Sequence, residues 1–563
     1  MPQELQVHKY DVLIIGAGAA GLRVALEVAK IATVALVSKV HPVRSQSVMA
    51  TDGIAAALGG KTKDTWADHV KDTIEASHFL ADQDAVEFMC RQAPDIIREL
   101  DEEYGAIFTR TTETTLAQRQ LAGHSKGRAV FGGERTGQTI VHTLYEQLTK
   151  YPVKLFNEHQ AVQLVIEENS IKGVIAFDIA TGELVAIAAK VVVIATGGAG
   201  QIYKATTNAT AATGDGIALA FHAGALLKDM EFVQFHPTTL PNSHRIIPEC
   251  VRSYGAILLN PRSQAFLKRC DAREELAPQD VIAQAVMHEM HLTRRDGCIY
   301  VDMRHVEKAV FDKRLKNLQE FIKLQTGLDM TKDPIPAVPA QHALLGGIAT
   351  TIEGATDIEG LFAVGECACI SVHGAARLEG NGLLEALVFG KQVGQAVKDL
   401  LKKKKPLTNA EYIALRIGLR DAQEILEKYR QAKTGTGVQE IQTKMQLVMD
   451  EHAGIIRIKK GLEEAQEKIQ QLKEELQGVA LNDKSLIYNT ELVQIYETAG
   501  MLDLAQAIIC AALAREESRG THYRQDCKEQ DNKNWLKHSI IRYHQDGPEL
   551  LSENVKLTRL KPA

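Results

Sequence analysis

A glycine-rich turn near the N-terminus constrains the fold of this 563-residue chain more than any other feature. Residues 10–15 form an apolar run rich in β-branched side chains, and residues 22–30 are predicted to form a helix. The turn between them has the GxGxxG pattern, in which the first glycine permits a tight turn, the second admits a pyrophosphate and the third lets helix pack on strand. Such turns also occur by chance, but this placement favours a dinucleotide site with phosphate at the helix N-terminus. The turn consists of Gly16, Ala17, Gly18, Ala19, Ala20 and Gly21.

The residues after the next strand help to distinguish the dinucleotide. Residues 33–37 form a second apolar run, which an NAD-binding signature would follow with an acid that bonds the ribose hydroxyls. Ser38 and Lys39 stand at that position instead, and a lysine there disfavours NAD. Two further glycine-rich turns, at residues 195–198 and 365–366, follow apolar runs. Together these features predict an FAD site.

The apolar runs that end at glycine-rich turns lie far apart in the sequence, which indicates one sheet built from discontinuous segments. The predicted fold class is α/β, with a Rossmann-like FAD-binding domain, an inserted α+β capping domain and a C-terminal helical domain. The FAD-binding domain is expected at residues 1–230 and 346–400, and the capping domain at 231–345. Residues 401–517 are expected to form the helical domain, and 518–563 an extended tail.

Composition argues against several classes of protein. The net charge of −6 and the pI near 6.4 lack the basic footprint of a nucleic-acid-binding protein. The eight cysteines form none of the CxxC pairs that zinc or ferredoxin-type clusters need, so no metal site is predicted and reduced cytoplasmic thiols are expected. No run of about 18 uncharged apolar residues predicts a membrane span, and the N-terminus shows no apolar signal segment. We expect a cytoplasmic protein that could reach a membrane face only through partners.

Several longer motifs occur in order along the chain and carry a resemblance to a known family. They lie at residues 195–200, 213–216, 231–238, 342–348, 365–366, 373–375, 518–522 and 534–538. On these motifs the chain resembles the flavoprotein subunits of the succinate dehydrogenase/fumarate reductase family, which is related to L-aspartate oxidase. The last two motifs resemble the succinate dehydrogenase type more than the aspartate oxidases.

The resemblance implies an FAD-dependent oxidoreductase that interconverts succinate and fumarate by hydride transfer at flavin N5. It also implies electron exchange with an iron–sulfur subunit, through which a membrane anchor could hold the chain. For Asp215 a helix N-cap is the structural alternative, and the two roles can coexist. The residues implied to bind FAD, besides the six of the turn, are Ser38, Lys39, Ser45, Gln46, Gly53, Asp215, Glu366, Gly382 and Leu383.

The resemblance assigns four residues to the dicarboxylate and its proton. His236, His342 and Arg377 match positions that bind the substrate carboxylates, and Glu249 matches the acid of the proton-delivery path. Taken alone, each histidine would more often be a structural hydrogen-bonding group. Arg377 could equally bridge two domains by a salt bridge, although its planar fork suits bidentate binding of a carboxylate.

The first departure from the family concerns cofactor attachment. Members of respiratory complexes attach FAD covalently through the histidine of an Arg-Ser-His-Thr motif, whereas Gln46 stands at that position here. An amide cannot form this bond, so we expect non-covalent FAD. Loss of the histidyl link should lower the flavin potential, which favours reduction of an alkene over oxidation of succinate.

The second departure concerns the proton donor. In the family this is the arginine of a Pro-Arg-Asp motif, and Gln279 replaces it here; an amide cannot exchange protons as a guanidinium does. We therefore expect proton delivery to be slow and Gln279→Arg to make it faster, unless Arg252 or Arg273 has taken over the role of proton donor. Pro248 also replaces a substrate-binding threonine. Around Arg377, Ala376 and Glu379 depart from the usual Asn-Arg-Leu-Gly.

These departures leave three hypotheses for the function. The first is a succinate/fumarate flavoprotein subunit, which the C-terminal motifs favour. The second is a related flavin oxidoreductase that acts on a different substrate, because Gln279 and Pro248 alter the substrate wall. The third is a flavin-loaded assembly subunit without activity, against which the retained His236, His342 and Arg377 count.

Overall fold

The computed structural model describes residues 7–60, 63–293, 297–405, 409–432, 435–545 and 547–562. The strands in these segments are β1 Val7–Ile15, β2 Val34–Ser38, β3 Ile54–Ala55, β4 Gln118–Arg119, β5 Ala129–Val130, β6 Lys154–Asn157, β7 His159–Glu167, β8 Ser170–Asp178, β9 Leu184–Ile194, β10 Leu227–Lys228, β11 Val233–Thr239, β12 Ile257–Leu259, β13 Ile299–Asp302, β14 Ile335–Leu344, β15 Gly347–Ala349, β16 Leu361–Ala363, β17 Ala368–Cys369, β18 Ile456–Arg457, β19 Tyr523–Arg524, β20 Lys537–Arg542 and β21 Glu549–Asn554. The α-helices are α1 Ala19–Val28, α2 Trp66–Ala76, α3 Gln83–Arg98, α4 Thr136–Leu148, α5 Asp215–His222, α6 Cys250–Ser253, α7 Gln279–Thr293, α8 Lys308–Arg314, α9 Lys316–Thr326, α10 Asn381–Leu401, α11 Asn409–Gln431, α12 Val438–His452, α13 Lys459–Leu476 and α14 Thr490–Ala514.

The central sheet joins the discontinuous segments that the sequence predicted to be neighbours. Its order is β6-β2-β1-β9-β8-β7, and β16 also pairs with β9. Strands β1, β2, β6, β9 and β16 are parallel, while β7 and β8 form an antiparallel extension. Residues 191–194 of β9 are fully buried, because helices and further strands cover both sheet faces. The prediction of one discontinuous α/β sheet is confirmed.

The inserted unit has its own antiparallel sheet and its own core. Four strands in the order β11-β14-β13-β12 form this sheet, and all of them lie between residues 231 and 345. A separate apolar cluster that includes Leu258, Phe266 and Ile299 lies beneath it. Helix α7 packs against β11 and β14. This is the α+β capping domain that the sequence predicted.

The C-terminal domain is helical in its described part. Helix α13 contacts both α12 and α14, and its apolar stripe of Leu462, Ala465, Ile469, Leu472 and Leu476 is buried. Helix α14 is long and apolar enough to span a membrane by length and composition. About 67% of its most apolar window is buried inside the protein, however, which is typical of a core helix.

The segment after residue 517 folds back onto the rest of the chain. Strand β20 pairs with β10, and β21 pairs with β20, so both extend the five-stranded sheet of order β17-β15-β10-β20-β21. Arg515 holds the start of this segment through buried ion pairs to Glu231 at 2.6 Å and Glu517 at 2.9 Å. Near the other end, the backbone N–H of Arg559 donates to Gln83 on α3.

Candidate active site

A cavity of about 240 Å³ lies where the parallel strands end and the capping sheet begins. Its walls come from the β1–α1 turn, the 45–53 loop, the end of β9, the starts of α5 and α10, and strands β11 and β14. Gly21 and Glu249 are the two predicted site residues that do not line it. Those that do are Gly16, Ala17, Gly18, Ala19, Ala20, Ser38, Lys39, Ser45, Gln46, Gly53, Asp215, Glu366, Gly382, Leu383, His236, His342 and Arg377.

The glycine-rich turn is packed so closely that side chains are excluded at two positions. Gly16 has φ +103°, and a Cβ there would lie 2.2 Å from the carbonyl oxygen of Ala195. A Cβ at Gly21 would lie 2.0 Å from the Gly16 oxygen, which explains why Gly21 supports the turn without reaching the cavity. Backbone and the N-terminus of α1 therefore form this wall, as a pyrophosphate needs.

Other polar groups of this wall also fit a dinucleotide. The hydroxyl of Ser45 is buried and has no hydrogen-bond partner among the described residues. The carboxylate of Glu366 accepts from the Leu344 N–H at 3.1 Å, and it lies against Gly198, where a Cβ would be 2.4 Å from Oε1. Burial raises the pKa of Glu366 although Arg377 and the Leu344 N–H oppose the rise. The unsatisfied Ser45 hydroxyl can donate a hydrogen bond to a phosphate oxygen. The buried Glu366 carboxyl can accept one from a ligand hydroxyl.

Lys39 and Asp215 belong to one ion cluster at the cavity wall. The ammonium of Lys39 lies 2.8 Å from Asp215 and also binds Glu497, which α14 contributes. Burial lowers the pKa of Lys39, but the two carboxylates outweigh it and the net pKa is raised. Asp215 is the first residue of α5 and accepts from the Thr213 hydroxyl at 2.6 Å. Sequence reasoning missed Glu497, because nothing in its helical surroundings indicates a partner 458 residues away.

His236 is held as a neutral hydrogen-bond donor. Its Nδ1 accepts from the Thr238 N–H at 3.2 Å, so the ring proton is carried by Nε2. That Nε2 is buried without a partner among the described residues, and the ring lines the cavity. Burial, His342 and Arg252 hold its pKa well below the usual value.

His342 stands beside His236, with ring centroids 5.5 Å apart and edge-to-face geometry. Its Nδ1 lies 2.9 Å from the Thr207 hydroxyl, which already accepts from Asn208 and can therefore donate to the ring. This arrangement leaves Nε2–H for the cavity. Burial and Arg377 lower the pKa of His342 to about 3, so both rings are neutral donors at ordinary pH.

Arg377 completes the donor set, and its position depends on a glycine. A Cβ at Gly382 would lie 2.8 Å from the Nη1 atom of Arg377, so a side chain there would have to push the guanidinium aside. The Arg377 backbone is fixed by Gln234, whose amide accepts from the Arg377 N–H at 2.7 Å and donates to its carbonyl at 3.1 Å. A cation and two neutral N–H donors thus meet at one end of the cavity, the arrangement that carboxylates need when they leave water.

Glu249 is buried behind this wall rather than in it. Its Oε1 binds Arg252 at 2.5 Å, and its Oε2 has no partner among the described residues. Burial raises the pKa of Glu249, with Arg252 opposing the rise and Asp52 adding to it. Glu249 lines a second, much smaller void of about 10 Å³, together with Gln279, Asp280, Arg377 and Glu379.

Gln279 forms a hydrogen bond with Glu379, which the sequence analysis noted only as a departure from the family motif. Its Oε1 accepts from Gln234 at 2.5 Å, and its Nε2 donates to the carboxyl of Glu379 at 2.8 Å. Glu379 lines both the large cavity and the small void. The two unusual residues, 100 positions apart, therefore form one hydrogen-bonded pair. Only the coincidence of two departures in one sequence could have suggested this.

The remaining departures also have definite places. The Oε1 atom of Gln46 accepts from the Ala209 N–H at 2.7 Å, so the side chain is anchored in the cavity wall by backbone. Pro248 does not line either cavity, and its carbonyl accepts from the Val251 N–H at the start of α6. Arg252 is tied to Glu249, while Arg273 pairs with the neighbouring Asp271 on the exposed surface. Neither arginine lines the large cavity.

Comparison with known proteins agrees with the fold described above. The sequence profile of a family described as "FAD binding domain" matches residues 11–383, and one described as "Fumarate reductase flavoprotein C-term" matches residues 442–563. A succinate dehydrogenase flavoprotein subunit of Rickettsia conorii is 37% identical over 581 residues, which cover 98% of this chain and 96% of that protein. A fumarate reductase flavoprotein subunit of Mycobacterium tuberculosis is 37% identical over 560 residues, covering 96% of each.

A solved structure of mutant FrdA of E. coli quinol fumarate reductase matches with a TM-score of 0.95 and 33% identity, covering 99% of both chains. The fold and the cavity thus define an FAD-dependent oxidoreductase. More narrowly, the chain belongs to the family of succinate dehydrogenase and fumarate reductase flavoprotein subunits. The predicted recognition and fold class are confirmed.

Close packing at Gly16 predicts a selective loss of flavin. Gly16→Ala should lower the affinity for FAD at least tenfold, about 1.4 kcal/mol, because a methyl group must separate the turn from the end of β9. Gly224→Ala is the matched control, since Gly224 has a similar φ of +98° but nothing within 4 Å of its Cβ position. The measurement is equilibrium titration of flavin-free protein with FAD. Equal losses in both variants would attribute the effect to backbone strain alone.

Proposed function

We propose that this chain interconverts succinate and fumarate as the flavoprotein subunit of an electron-transfer complex. The observation that carries the proposal is the convergence of Arg377 with the neutral donors His236 and His342 beside the glycine-rich wall, in one cavity. A dicarboxylate between them would have donors at both ends. The relatives whose sequences align with this chain nearly end to end are named for this activity.

FAD would be held by the glycine-rich turn, by Ser38, Ser45 and Gly53, and by the Lys39–Asp215 pair and Glu366. When bound, it supplies hydride chemistry between substrate carbon and its isoalloxazine ring. Arg377 would bind one carboxylate through its planar fork, and the two histidines would donate Nε2–H to carboxylate oxygens. Thr238 and Thr207 hold the two rings and Gln234 holds the Arg377 backbone before substrate arrives, which reduces the reorganisation that binding requires.

The test measures activity in both directions for the wild type and for a variant of Arg377. This residue forms the carboxylate clamp with His236 and His342. The wild-type protein should oxidise reduced viologen when fumarate is added, and reduce an artificial acceptor with succinate. Arg377→Gln should lower kcat/KM for fumarate at least about 100-fold, or roughly 2.7 kcal/mol, because charge-assisted bidentate bonds are lost.

Arg420→Gln is the control for the loss of one positive charge, since Arg420 lies on the exposed face of α11 and its side chain is 67% accessible. The control should retain wild-type activity. A wild-type protein loaded with FAD but inactive in both directions would show that the proposed substrate pair is wrong.

We further propose that FAD is bound without a covalent link and that reduction of fumarate is the favoured direction. The support is Gln46, whose amide is anchored to the Ala209 backbone and has no nucleophilic nitrogen for attachment. A flavin without the histidyl link has a lower potential, which favours delivery of electrons to an alkene.

Acid precipitation of the flavin-loaded protein should therefore release all of the flavin into the supernatant. The absorbance of the supernatant is compared with that of the native protein, and the denatured band is examined for flavin fluorescence. A protein sample to which free FAD is added just before the acid controls for trapping. Fluorescence retained on the denatured wild-type band would contradict the proposal.

A partner subunit of the iron–sulfur type is proposed as the second electron carrier. Among the described residues no group of three or more metal-ligating side chains could hold a cluster, and a flavin that cycles needs an outside electron source. Two structural neighbours are named quinol fumarate reductase, one of them with menaquinol molecules. The chain is accordingly proposed to work in the cytoplasm, peripheral to the membrane through such partners.

Affinity purification of the tagged chain from its native cells should recover a cysteine-rich protein with bound iron and acid-labile sulfide. Tagged Gly16→Ala protein controls for dependence on flavin loading, and an unrelated tagged protein controls for background. Recovery of a lone chain with full activity toward a physiological quinone would contradict the proposal.

A further inference from the structure

We propose that Glu379 is the proton donor of this active site, in the place that Gln279 cannot fill. The inference rests on the proposed function, since it assigns the proton that the alkene receives. It follows from the position of the Glu379 carboxyl between two cavities and from the hydrogen bonds that hold it there.

Glu379 is the acid that lines the substrate end of the large cavity as well as the small void behind it. It follows Arg377 by two residues, so its carboxyl and the carboxylate clamp belong to one wall. Oε2 accepts from Gln279, whereas Oε1 has no hydrogen-bond partner among the described residues. One carboxyl oxygen is thus anchored and the other is available for transfer, as a general acid requires.

The direction of the anchoring hydrogen bond is set by the neighbouring amide. The Arg377 N–H donates to Oε1 of Gln234, which turns the Gln234 NH₂ group toward Gln279. Gln279 must then accept with Oε1 and donate to Glu379 with Nε2. Gln279 is therefore a positioning residue, which holds Glu379 without itself exchanging a proton.

The charges around Glu379 favour its protonated form. Burial raises the pKa of this carboxyl to about 8, and the acids Glu249 and Asp52 add to the rise, while Arg377 and Arg252 oppose it. Glu379 is thus a neutral carboxylic acid at pH 7 and gives up its proton as the pH rises through about 8. A dianionic substrate beside it would disfavour the carboxylate further and so extend the protonated range upward.

The chemistry balances with one proton from Glu379. Reduction of fumarate breaks the carbon–carbon π bond and forms two C–H bonds, one from the hydride that flavin chemistry supplies and one from the carboxyl proton. Glu379 is left as a carboxylate, and one proton from solvent restores it. In the reverse direction the Glu379 carboxylate would accept the proton that succinate loses.

The small void gives a route for that restoring proton. Its volume of about 10 Å³ is close to what one water molecule requires, and Glu249 and Asp280 share its lining with Glu379. Asp280 pairs with His78 at 2.9 Å, and the His78 side chain is 29% accessible. A chain of titratable groups therefore connects the surface with the back of Glu379. Arg252 is bound to Glu249 behind the void, and Arg273 to Asp271 on the surface.

The first experiment removes the transferable proton and keeps the shape. Glu379→Gln should lower kcat for fumarate reduction at least 100-fold with KM changed less than threefold, within the 10²–10⁴-fold that general acids typically contribute. Glu379→Asp keeps a carboxylic acid and should retain part of the rate. Wild-type kcat/KM, which reports the free enzyme, should fall as pH rises above about 8, and kcat should fall only at a higher pH; Glu379→Gln should lack both declines.

Asp450→Asn is the matched control, because Asp450 is another carboxyl whose pKa burial raises, to about 6, and it lines neither cavity. Its activity should equal that of wild type.

The second experiment replaces Gln279 alone and then Gln279 together with Glu379. Gln279→Arg alone should lower the rate, since a guanidinium beside Glu379 would form an ion pair and deprotonate it. This reverses the expectation drawn from the sequence alone. The double variant Gln279→Arg with Glu379→Gly recreates the arginine and glycine of the family motifs and should be faster than either single variant. If Gln279→Arg alone reduced fumarate faster than the wild type, the inference would be overturned.

The third measurement is independent of turnover. Infrared difference spectra of flavin-loaded, oxidised wild type minus Glu379→Gln in the same state should contain a protonated carboxyl band at pH 7 that disappears as the pH is raised past about 8. Absence of that band at pH 7 would overturn the inference. Wild-type activity that survives in Glu379→Gln would also overturn it while leaving the proposed function intact. A wild type inactive on fumarate and succinate would reject the proposed function, and the role of Glu379 with it.

Discussion

The close approach of the β1–α1 turn to the end of β9 is the constraint on which the site depends. Gly16 lies against the Ala195 carbonyl, and Gly21 lies against Gly16, so three layers of backbone meet without side chains between them. The Ala195 N–H also donates to the carbonyl of Ile15 at 2.7 Å, which locks the two strand ends together. Segments nearly 180 residues apart in sequence thereby form one wall. This packing excludes side chains at Gly16 and Gly21, so the backbone of the turn and the N-terminus of α1 can face the cavity.

The sequence predicted those parts of the structure that local patterns specify. The glycine spacing around Gly16 and the apolar runs that end near residues 195 and 364 carried enough information for the parallel sheet, because each pattern implies a strand ending at a ligand site. The stripe from Leu462 to Leu476 likewise specified a helix with one buried face. The capping unit was expected as an inserted α+β domain without its strand pairings, since β12 and β13 are short and a long connection that contains α7 separates them.

Pairings between distant polar residues could not be predicted in the same way. Lys39 was assigned to the cofactor, but its contact with Glu497 depends on how the C-terminal helices dock. Gln279 was interpreted as a loss of chemistry, because an amide by itself transfers no proton. Its partner Glu379 is supplied by the loop before α10, and only the three-dimensional structure brings the amide and the carboxyl together. Single-sequence reasoning thus could not supply the pairings of side chains whose role depends on a distant neighbour.

The contact between Lys39 and Glu497 also bears on how the protein is made. The wall of the cofactor cavity begins within the first 40 residues, yet one of the carboxylates that neutralise its lysine is synthesised more than 450 residues later. The five-stranded sheet gains β20 later still, and the backbone N–H of Arg559 then binds Gln83 on α3. Chains fold from the N-terminus during synthesis at about 5–20 residues per second, so the nascent Rossmann-like domain waits tens of seconds for these partners. The cavity wall therefore lacks one of its two neutralising carboxylates until α14 has been synthesised and has docked beside Lys39.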